Sequence, residues 1–352
     1  MLGIVRNTKL SVLSATVSKN RVPVEEMCAH LLTPKQAQRM AKGTGFKRLS
    51  VTPDLEVCTS DLCFTSANEI FERGLARREE IGAIIFLTQS PDYELPATAY
   101  CLQDRLHLPN DVIAFDINLG CSGFVYGVYT ASMFLSNMER KVLFCCGDTS
   151  SHANWKGDTS MISLFGDAGI AAVIERAPVE EDRKIFYNIN SWGSGAKCLY
   201  KPRGGHRANK ITDADGNLIQ TIRENFTVMD GMGIMDFSLK ETPENIEALI
   251  DYAQLDKADI DIALFHQANR MIVGALADRL GLDSTKVPFN CQDIGNTSSA
   301  SIPVCMTELA KGGDDFNAYK TALLSGFGVG LSVASVIMDL SGTKVLETLE
   351  YE

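Results

Sequence analysis

The sequence predicts an α/β protein whose central sheets are covered by helices on both faces. Two observations carry this expectation. Short apolar, β-branched runs alternate with longer helix-patterned stretches. Two pairs of segments also echo each other in the same order along the chain.

The elements follow in order. The N-terminal MLGIVRNTKLSVLSATVSKN reads as an edge or central strand followed by a loop, and it lacks the long apolar core of a secretory signal. A helix is expected at about 61–78, then a strand in IGAIIFLTQ (81–89) and a helix at about 97–107. VIAFDIN (112–118) is a strand, 122–139 a helix, and KVLFCCGD (141–148) and AGIAAVIER (168–176) two further strands. The charged, Pro-containing RAPVEEDRK (176–184) marks a junction between halves, residues 1–177 and 178–352. In the second half, DIALFHQAN (261–269) echoes AIIFLTQSP (83–91), a strand running into a polar turn. SGFGVGLSVASVIMDL (325–340) echoes FGDAGIAAVIER (165–176), a Gly-rich turn opening a final strand. The partners lie roughly 160–180 residues apart, as an internal duplication requires. Chance likeness between buried strands is the plain alternative.

Composition narrows the function classes. The 352 residues are 45% hydrophobic and 22% charged, which excludes a disulfide-stapled miniprotein, a collagen-like fibre and a charge-rich disordered chain. A net charge of −11 does not favour nucleic acid, where a basic footprint is expected, and is ordinary for a soluble cytoplasmic protein. The apolar runs at 112–115 and 170–174 are too short to span a bilayer. Ten cysteines occur without a CxxC pair, so no zinc knuckle or thioredoxin-like site is indicated; HExxH and Walker A are also absent, and no metal is expected. Most of the cysteines sit in apolar settings and read as reduced, buried thiols.

Cys121 differs. In DINLGCSGF (116–124) a strand ends near Asn118 and a helix begins near Ser122, so Cys121 occupies a tight strand-to-helix turn. A helix N-terminus lowers a thiol pKa and presents amides to developing negative charge. The segment is placed like a nucleophile elbow, yet Leu119 stands where a GxSxG motif has its first Gly. A cysteine that merely packs a helix start is the bland alternative.

Of the five histidines, His266 alone follows directly on a strongly apolar strand and opens the polar run Gln267-Ala268-Asn269-Arg270. Ligands bind at the carboxyl ends of strands in such sheets. His107 lies near a helix end and reads as a surface residue. Asn296 lies in DIGNTSSAS (293–301), just before a helix expected from Ser298 or Ser299, where a cap is the bland reading. Gly326, Gly328 and Gly330 form a GxGxG turn, but it precedes a strand, so a dinucleotide site is weakly supported. Cysteine, neutral histidine and asparagine together suit acyl transfer from a thioester. The thiolate takes the acyl group; the other two stabilise the enolate formed when a malonyl thioester loses carbon dioxide. Asparagine has no acid–base role, so its use points to charge stabilisation. A papain-like protease uses the same residue types, but its nucleophile lies on a long helix early in a differently arranged fold.

With these segments in place, the sequence resembles the β-ketoacyl-acyl-carrier-protein synthase III family of the thiolase-like superfamily. DINLGCSGF, FGDAGIAAV (165–173), HQAN (266–269), GNTSSASIP (295–303) and SGFGVG (325–330) carry the resemblance, with TGFKR (44–48) and PDYELPATA (91–99), essentially end to end. The resemblance implies a five-layer α-β-α-β-α fold of two similar halves and a homodimer. It implies that Cys121 is acylated, that His266 and Asn296 activate the malonyl thioester, and that the amides of Cys121 and Val329 form an oxyanion hole. Phe327 and Gly328 would lie in the turn lining the site, while Tyr93 and Leu95 would lie near the dimer interface and shape the acyl pocket. No permanently bound cofactor is implied. The substrates would be acyl-CoA or acyl-carrier thioesters and malonyl-acyl-carrier protein, and the partner an acyl carrier protein.

The chain departs from the family pattern where CoA is gripped. Arg39 and Gly43 stand in the slots of a Trp and an Arg, Thr159 stands in the slot of another Arg, and Met271, with Arg270 beside it, replaces an Arg after HQAN. These departures favour carrier-protein donors or a specialised acyl group over acetyl-CoA priming. Lys201, Arg203, Arg207 and Lys210 form a basic cluster that suits a CoA phosphate or an acidic carrier face; a solvated loop is the alternative. Competing readings are a secondary-metabolism condensing enzyme forming an ester, amide or ketone, a non-catalytic partner subunit, and a cysteine hydrolase. A thiolase would want a second cysteine near the C-terminal Gly turn, and none follows Cys305. A hydroxymethylglutaryl-CoA synthase would want an acidic base where this chain offers asparagine.

Overall fold

The computed structural model describes residues 1–202 and 226–352. Its strands are β1 (Leu2–Arg6), β2 (Thr8–Ser18), β3 (Arg21–Pro23), β4 (Arg48–Ser50), β5 (Ile81–Leu87), β6 (Ile113–Ile117), β7 (Lys141–Asp148) and β8 (Ala168–Arg176). They continue as β9 (Lys184–Ser191), β10 (Leu199–Tyr200), β11 (Val228–Met229), β12 (Ile262–Phe265), β13 (Ala322–Gly328), β14 (Ser332–Met338), β15 (Lys344–Val345) and β16 (Leu349–Tyr351). The α-helices are α1 (Val24–Met27), α2 (Pro34–Thr44), α3 (Thr59–Glu72), α4 (Thr98–Arg105), α5 (Gly123–Leu135), α6 (Thr159–Ile162), α7 (Gly231–Ala253), α8 (Arg270–Leu280) and α9 (Ser301–Lys311).

Two large sheets form from these strands. One runs β15-β2-β8-β7-β5-β6, with β16 also on β2; the other runs β1-β9-β14-β13-β12. Four strands of each repeat one pattern. β2, β8 and β7 are successively antiparallel and β7 is parallel to β5. β9, β14 and β13 are successively antiparallel and β13 is parallel to β12. The echoed segments therefore occupy matching places: β5 answers β12, and β8 answers β14.

The layers explain the apolar runs. Helices α3 and α4 cover the outer face of the first sheet, α5 and α9 lie between the sheets, and α7 and α8 cover the second. Strand residues alternate between cores. Val142, Phe144 and Cys146 of β7 face the central core, whereas Leu143 and Cys145 face the core under α3. In β13, Leu324 faces the centre and Leu323 the core under α7. Both faces of these strands are buried, so apolar residues fill most of both faces and the sequence reads as a nearly continuous apolar run instead of alternating.

Several boundaries differ from expectation. The N-terminal stretch is two strands, broken at Asn7 with φ +55°, and they enter different sheets: β1 pairs with β9 and β2 with β8. β15 and β16 bring the other end of the chain back to β2. The helix expected to reach 78 stops at Glu72, ahead of Gly74 at φ +67°, and the one expected to reach 107 stops at Arg105, ahead of His107 at φ +53°. A left-handed residue just beyond the end terminates a helix by turning the chain away. Gly326 and Gly328 belong to β13 rather than to a turn opening the last strand. No described helix is long and apolar enough to cross a membrane.

Candidate active site

The carboxyl ends of strands from both sheets converge on one cavity lined by Cys121, His266, Asn296, Phe327 and Gly328. Its remaining wall is mostly apolar, with Leu164, Leu199, Met229, Ile234 and Ile272, and includes the polar Ser238 and Asn269. Cys121 follows β6 and precedes α5 by one residue. It is 7% exposed. The end of β13 packs directly on it: a Cβ on Gly328 would lie 2.9 Å from Cys121 Cβ and 3.0 Å from Sγ, and Gly328 has φ +143°. Only glycine accommodates both demands.

That close approach sets the local electrostatics. The amides of Val329 and of Cys121 itself face the sulfur and act in the direction that favours the thiolate. The expectation of a thiol acidified by the helix N-terminus is not met. Burial pushes the thiol from its ordinary 9.0 up to about 11. That rise corresponds to roughly 3 kcal/mol. A helix N-terminus returns about 0.3–1 kcal/mol, so desolvation wins.

His266 follows β12 and is 2% exposed. Its amide donates to the Ser325 carbonyl of β13 at 2.9 Å, and its ring stands edge-on to Phe327, centroids 5.5 Å apart. Nδ1 meets Ser301 Oγ at 2.6 Å. Burial pushes the imidazole down from 6.5 to about 3, so the ring is neutral at physiological pH.

Asn296 is tied to the first half of the chain. Its amide donates to the Leu164 carbonyl at 2.9 Å, and its carbonyl accepts from Gly166 N–H at 3.0 Å. Its side-chain Oδ1 accepts from the amide of Ser298 at 2.9 Å, a local turn that holds Ser298 at φ +51°. Nδ2 reaches the Ala268 carbonyl only at 3.5 Å, so the amino group retains hydrogens to offer a ligand. The helix expected from Ser298 begins as a 3₁₀ turn, Ser298–Ala300, and becomes α9 at Ser301.

The other expected residues are placed unevenly. Phe327 and Gly328 line the cavity. Tyr93 and Leu95 stand 59% and 82% exposed, outside the residues that line it in a single chain. Arg39 is exposed on α2 and does not line the cavity. Arg270 is exposed at the start of α8, its guanidinium 5.3 Å from the Phe289 ring centre, in a separate surface groove. Lys201 is exposed. Arg203, Arg207 and Lys210 lie outside the described residues. Sequence reasoning missed Ser301, which contacts the histidine, and Ser298, whose amide is held by the Asn296 side chain. The run of small polar residues at 297–301 was their only signal. Among the described residues, no group of three or more His, Cys, Asp or Glu is placed to hold a metal ion.

The paired sheets with a Cys, His and Asn cavity between them define a thiolase-like condensing enzyme. The model of 3-oxoacyl-[acyl-carrier-protein] synthase III matches residues 115–193, and that of its C-terminal region matches 250–340. A β-ketoacyl-[acyl-carrier-protein] synthase III of Streptococcus pneumoniae is 34% identical over 80% of this chain and 85% of its own. The crystal structure of a 3-oxoacyl-(acyl-carrier protein) synthase from Burkholderia xenovorans is 30% identical, covers 100% of this chain and 99% of its own, and superposes with a TM-score of 0.91. The priming β-ketosynthase of the R1128 polyketide pathway shares the fold at 21% identity, covering 95% and 96% of the two chains with a TM-score of 0.80. The chain belongs to the 3-oxoacyl-[acyl-carrier-protein] synthase III family and is a condensing acyltransferase.

Proposed function

We propose that this enzyme transfers an acyl group from a thioester to Cys121 and condenses it with a malonyl thioester, giving a β-ketoacyl thioester for fatty acid biosynthesis. The observation that carries the reading is the meeting of Cys121, His266 and Asn296 on one mostly apolar-walled cavity, with two backbone amides facing the cysteine sulfur. The sulfur attacks the acyl carbonyl while the amides of Cys121 and Val329 receive the oxyanion. The donor thiol leaves and the malonyl thioester enters. A neutral His266 and the Asn296 amino group donate to its thioester carbonyl, carbon dioxide departs, and the resulting carbanion attacks the acyl-cysteine. Neutrality of His266 suits this role: a neutral donor stabilises an enolate without surrendering a full proton first.

The malonyl donor and product carrier in this reading are acyl carrier protein, as the names of the family and its relatives indicate. The working unit is a cytoplasmic homodimer whose two halves, 1–177 and 178–352, share one site. Edge strand β6 supports the dimer: it pairs with β5 on one side, and Ile113 is 48% exposed. An unpaired apolar edge is covered most directly by its own copy across a two-fold axis. Tyr93 and Leu95, exposed in one chain, would then reach the partner's pocket.

The test is intact-mass analysis of the protein after incubation with a panel of acyl-CoA and acyl-carrier thioesters, followed by malonyl-carrier chase. An acyl adduct on Cys121 that chases into a β-keto product supports the reading. No adduct with any donor overturns it. An adduct that malonyl thioester never discharges favours a specialised acyltransferase, which the altered slots at Arg39, Thr159 and Met271 would suit. Size-exclusion light scattering of Ile113→Asp checks the dimer, with dissociation expected.

A further inference from the structure

The end of β13 meets the cysteine turn residue against residue. A Cβ on Gly326 would lie 2.7 Å from Ser122 Cα, and one on Gly120 would lie 2.6 Å from a methyl of Val329. Gly328 stands against Cys121, so the peptide joining Gly328 to Val329 sits at the nucleophile. Glycine permits this approach but does not hold it: Gly330, exposed at φ +140°, leaves the turn after β13 conformational freedom. Two anchors restrain that turn. One is backbone: Trp192 N–H donates to the Leu331 carbonyl at 2.8 Å, and the Trp192 carbonyl accepts from Leu331 N–H at 3.1 Å. The other is a pair of buried hydroxyls. Ser332 opens β14, and its Oγ donates to the Val329 carbonyl at 3.0 Å. The same oxygen lies 2.8 Å from Oγ of Ser122, the residue after the nucleophile.

A carbonyl only accepts, so the single hydrogen of Ser332 goes to Val329, and Ser122 donates to Ser332. The chain of bonds runs from the cysteine turn of the first half to the β13–β14 turn of the second. Apolar side chains would fill this junction as well. Hydroxyls add direction, because the chain ends on the residue whose amide receives the oxyanion in the proposed mechanism. We propose that Ser122 and Ser332 are positioning residues for the acylation step, their hydrogen-bond chain holding Val329 in place at the Cys121 sulfur. This rests on the reading of Cys121 as the acyl acceptor.

The chain has an order, and the order makes the proposal specific. Ser332 bonds Val329 directly, so removing its hydroxyl frees the turn and leaves Ser122 without this acceptor. Removing the Ser122 hydroxyl keeps the Ser332–Val329 bond and takes away only the donor that orients Ser332. Ser122 therefore acts on Val329 through Ser332. Neither serine lines the cavity, so their loss should spare donor binding and act on the rate of the bound thioester.

The experiment measures acylation of Cys121 by quenched intact mass over a range of concentrations of the acyl-CoA or acyl-carrier thioester that acylates it fastest. It compares the full chain with Ser332→Ala, Ser332→Thr, Ser122→Ala and the double variant Ser122→Ala/Ser332→Ala. Ser332→Ala should lower the maximal rate by about tenfold to a hundredfold, up to the cost of losing one oxyanion donor, and leave the half-saturating donor concentration unchanged. Ser332→Thr keeps the hydroxyl and should restore most of the rate. Ser122→Ala should cost about threefold, the scale of one neutral hydrogen bond. The double variant should be no slower than Ser332→Ala alone, because Ser122 has nothing left to act through. A maximal rate for Ser332→Ala within about threefold of the unaltered protein overturns the proposal. So does a double variant whose loss is the product of the two single losses, the result expected of two independent structural roles. If Ser332→Ala does not fold, Ser122→Ala carries the test: a lower maximal rate at unchanged half-saturation supports the proposal, and an unchanged maximal rate overturns it. If no donor acylates the unaltered protein, the reading of Cys121 has failed and this proposal falls with it.

Discussion

Ser301 Oγ lies 2.6 Å from Nδ1 of His266, and the same oxygen accepts from the amide of Gln267 at 3.3 Å. The Ser301 hydroxyl can donate its hydrogen to Nδ1 while it accepts from the amide, and when it does the neutral ring carries its proton on Nε2. Ser301 acts through His266 and is a positioning residue. Ser301→Ala should slow release of carbon dioxide from malonyl thioester while leaving Cys121 acylation near its original rate, and Ser301→Thr should restore it. Equal loss in both half-reactions would remove the tautomer argument.

His266→Ala and Asn296→Ala should separate the two half-reactions more strongly. In the proposed mechanism each removes one donor to the enolate, an effect of about a hundredfold to a thousandfold on the step it serves. Carbon dioxide release from labelled malonyl thioester should fall by that factor, while mass analysis still finds acyl-Cys121. Loss of acylation in step with decarboxylation would assign these residues to the first half-reaction instead.

Gly328→Ala places a Cβ at the cysteine in a backbone conformation that L side chains rarely adopt. The neighbouring Val329 amide must then shift from the sulfur. Acylation should fall by about a hundredfold, the usual cost of losing one oxyanion donor. Thermal unfolding of the variant checks that the fold persists; unchanged acylation would show that the Val329 amide is not the donor.

The His266 imidazole also links stability to pH. Its folded value, about 3, lies below the ordinary 6.5. Between these values the unfolded chain binds a proton that the native protein refuses, so stability is full above 6.5 and is lost as pH falls. For this group alone the loss reaches about 2 kcal/mol by pH 5. Urea unfolding at pH 7 and pH 5 should therefore show a smaller drop for His266→Gln than for the unaltered chain. Equal drops would mean that the ring is not held neutral.

Much of the site could be read one segment at a time. Cys121 stood out because a buried strand meets a helix across a Gly-flanked turn, and His266 because it directly follows four buried residues of β12. Ser298 and Ser301 did not stand out. Each belongs to a run with an ordinary local explanation: a turn residue, a helix start. Their significance appears only where the 297–301 turn and the end of β12 come together. The split of the N-terminal stretch into β1 and β2 was hidden for a similar reason, since Asn7 is a break that either sheet could accept.

The sequence by itself determined which segments form strands and helices, that the inner strands are buried on both faces, and that a cysteine and a histidine stand at strand ends. These follow from periodicity, turn chemistry and hydrophobicity, which act over a few residues. The tertiary structure decided that Cys121 shares a cavity with residues 145 and 175 positions away, and that its thiol is made less acidic rather than more. Desolvation depends on what packs around a group from every direction, and those neighbours come from distant parts of the chain.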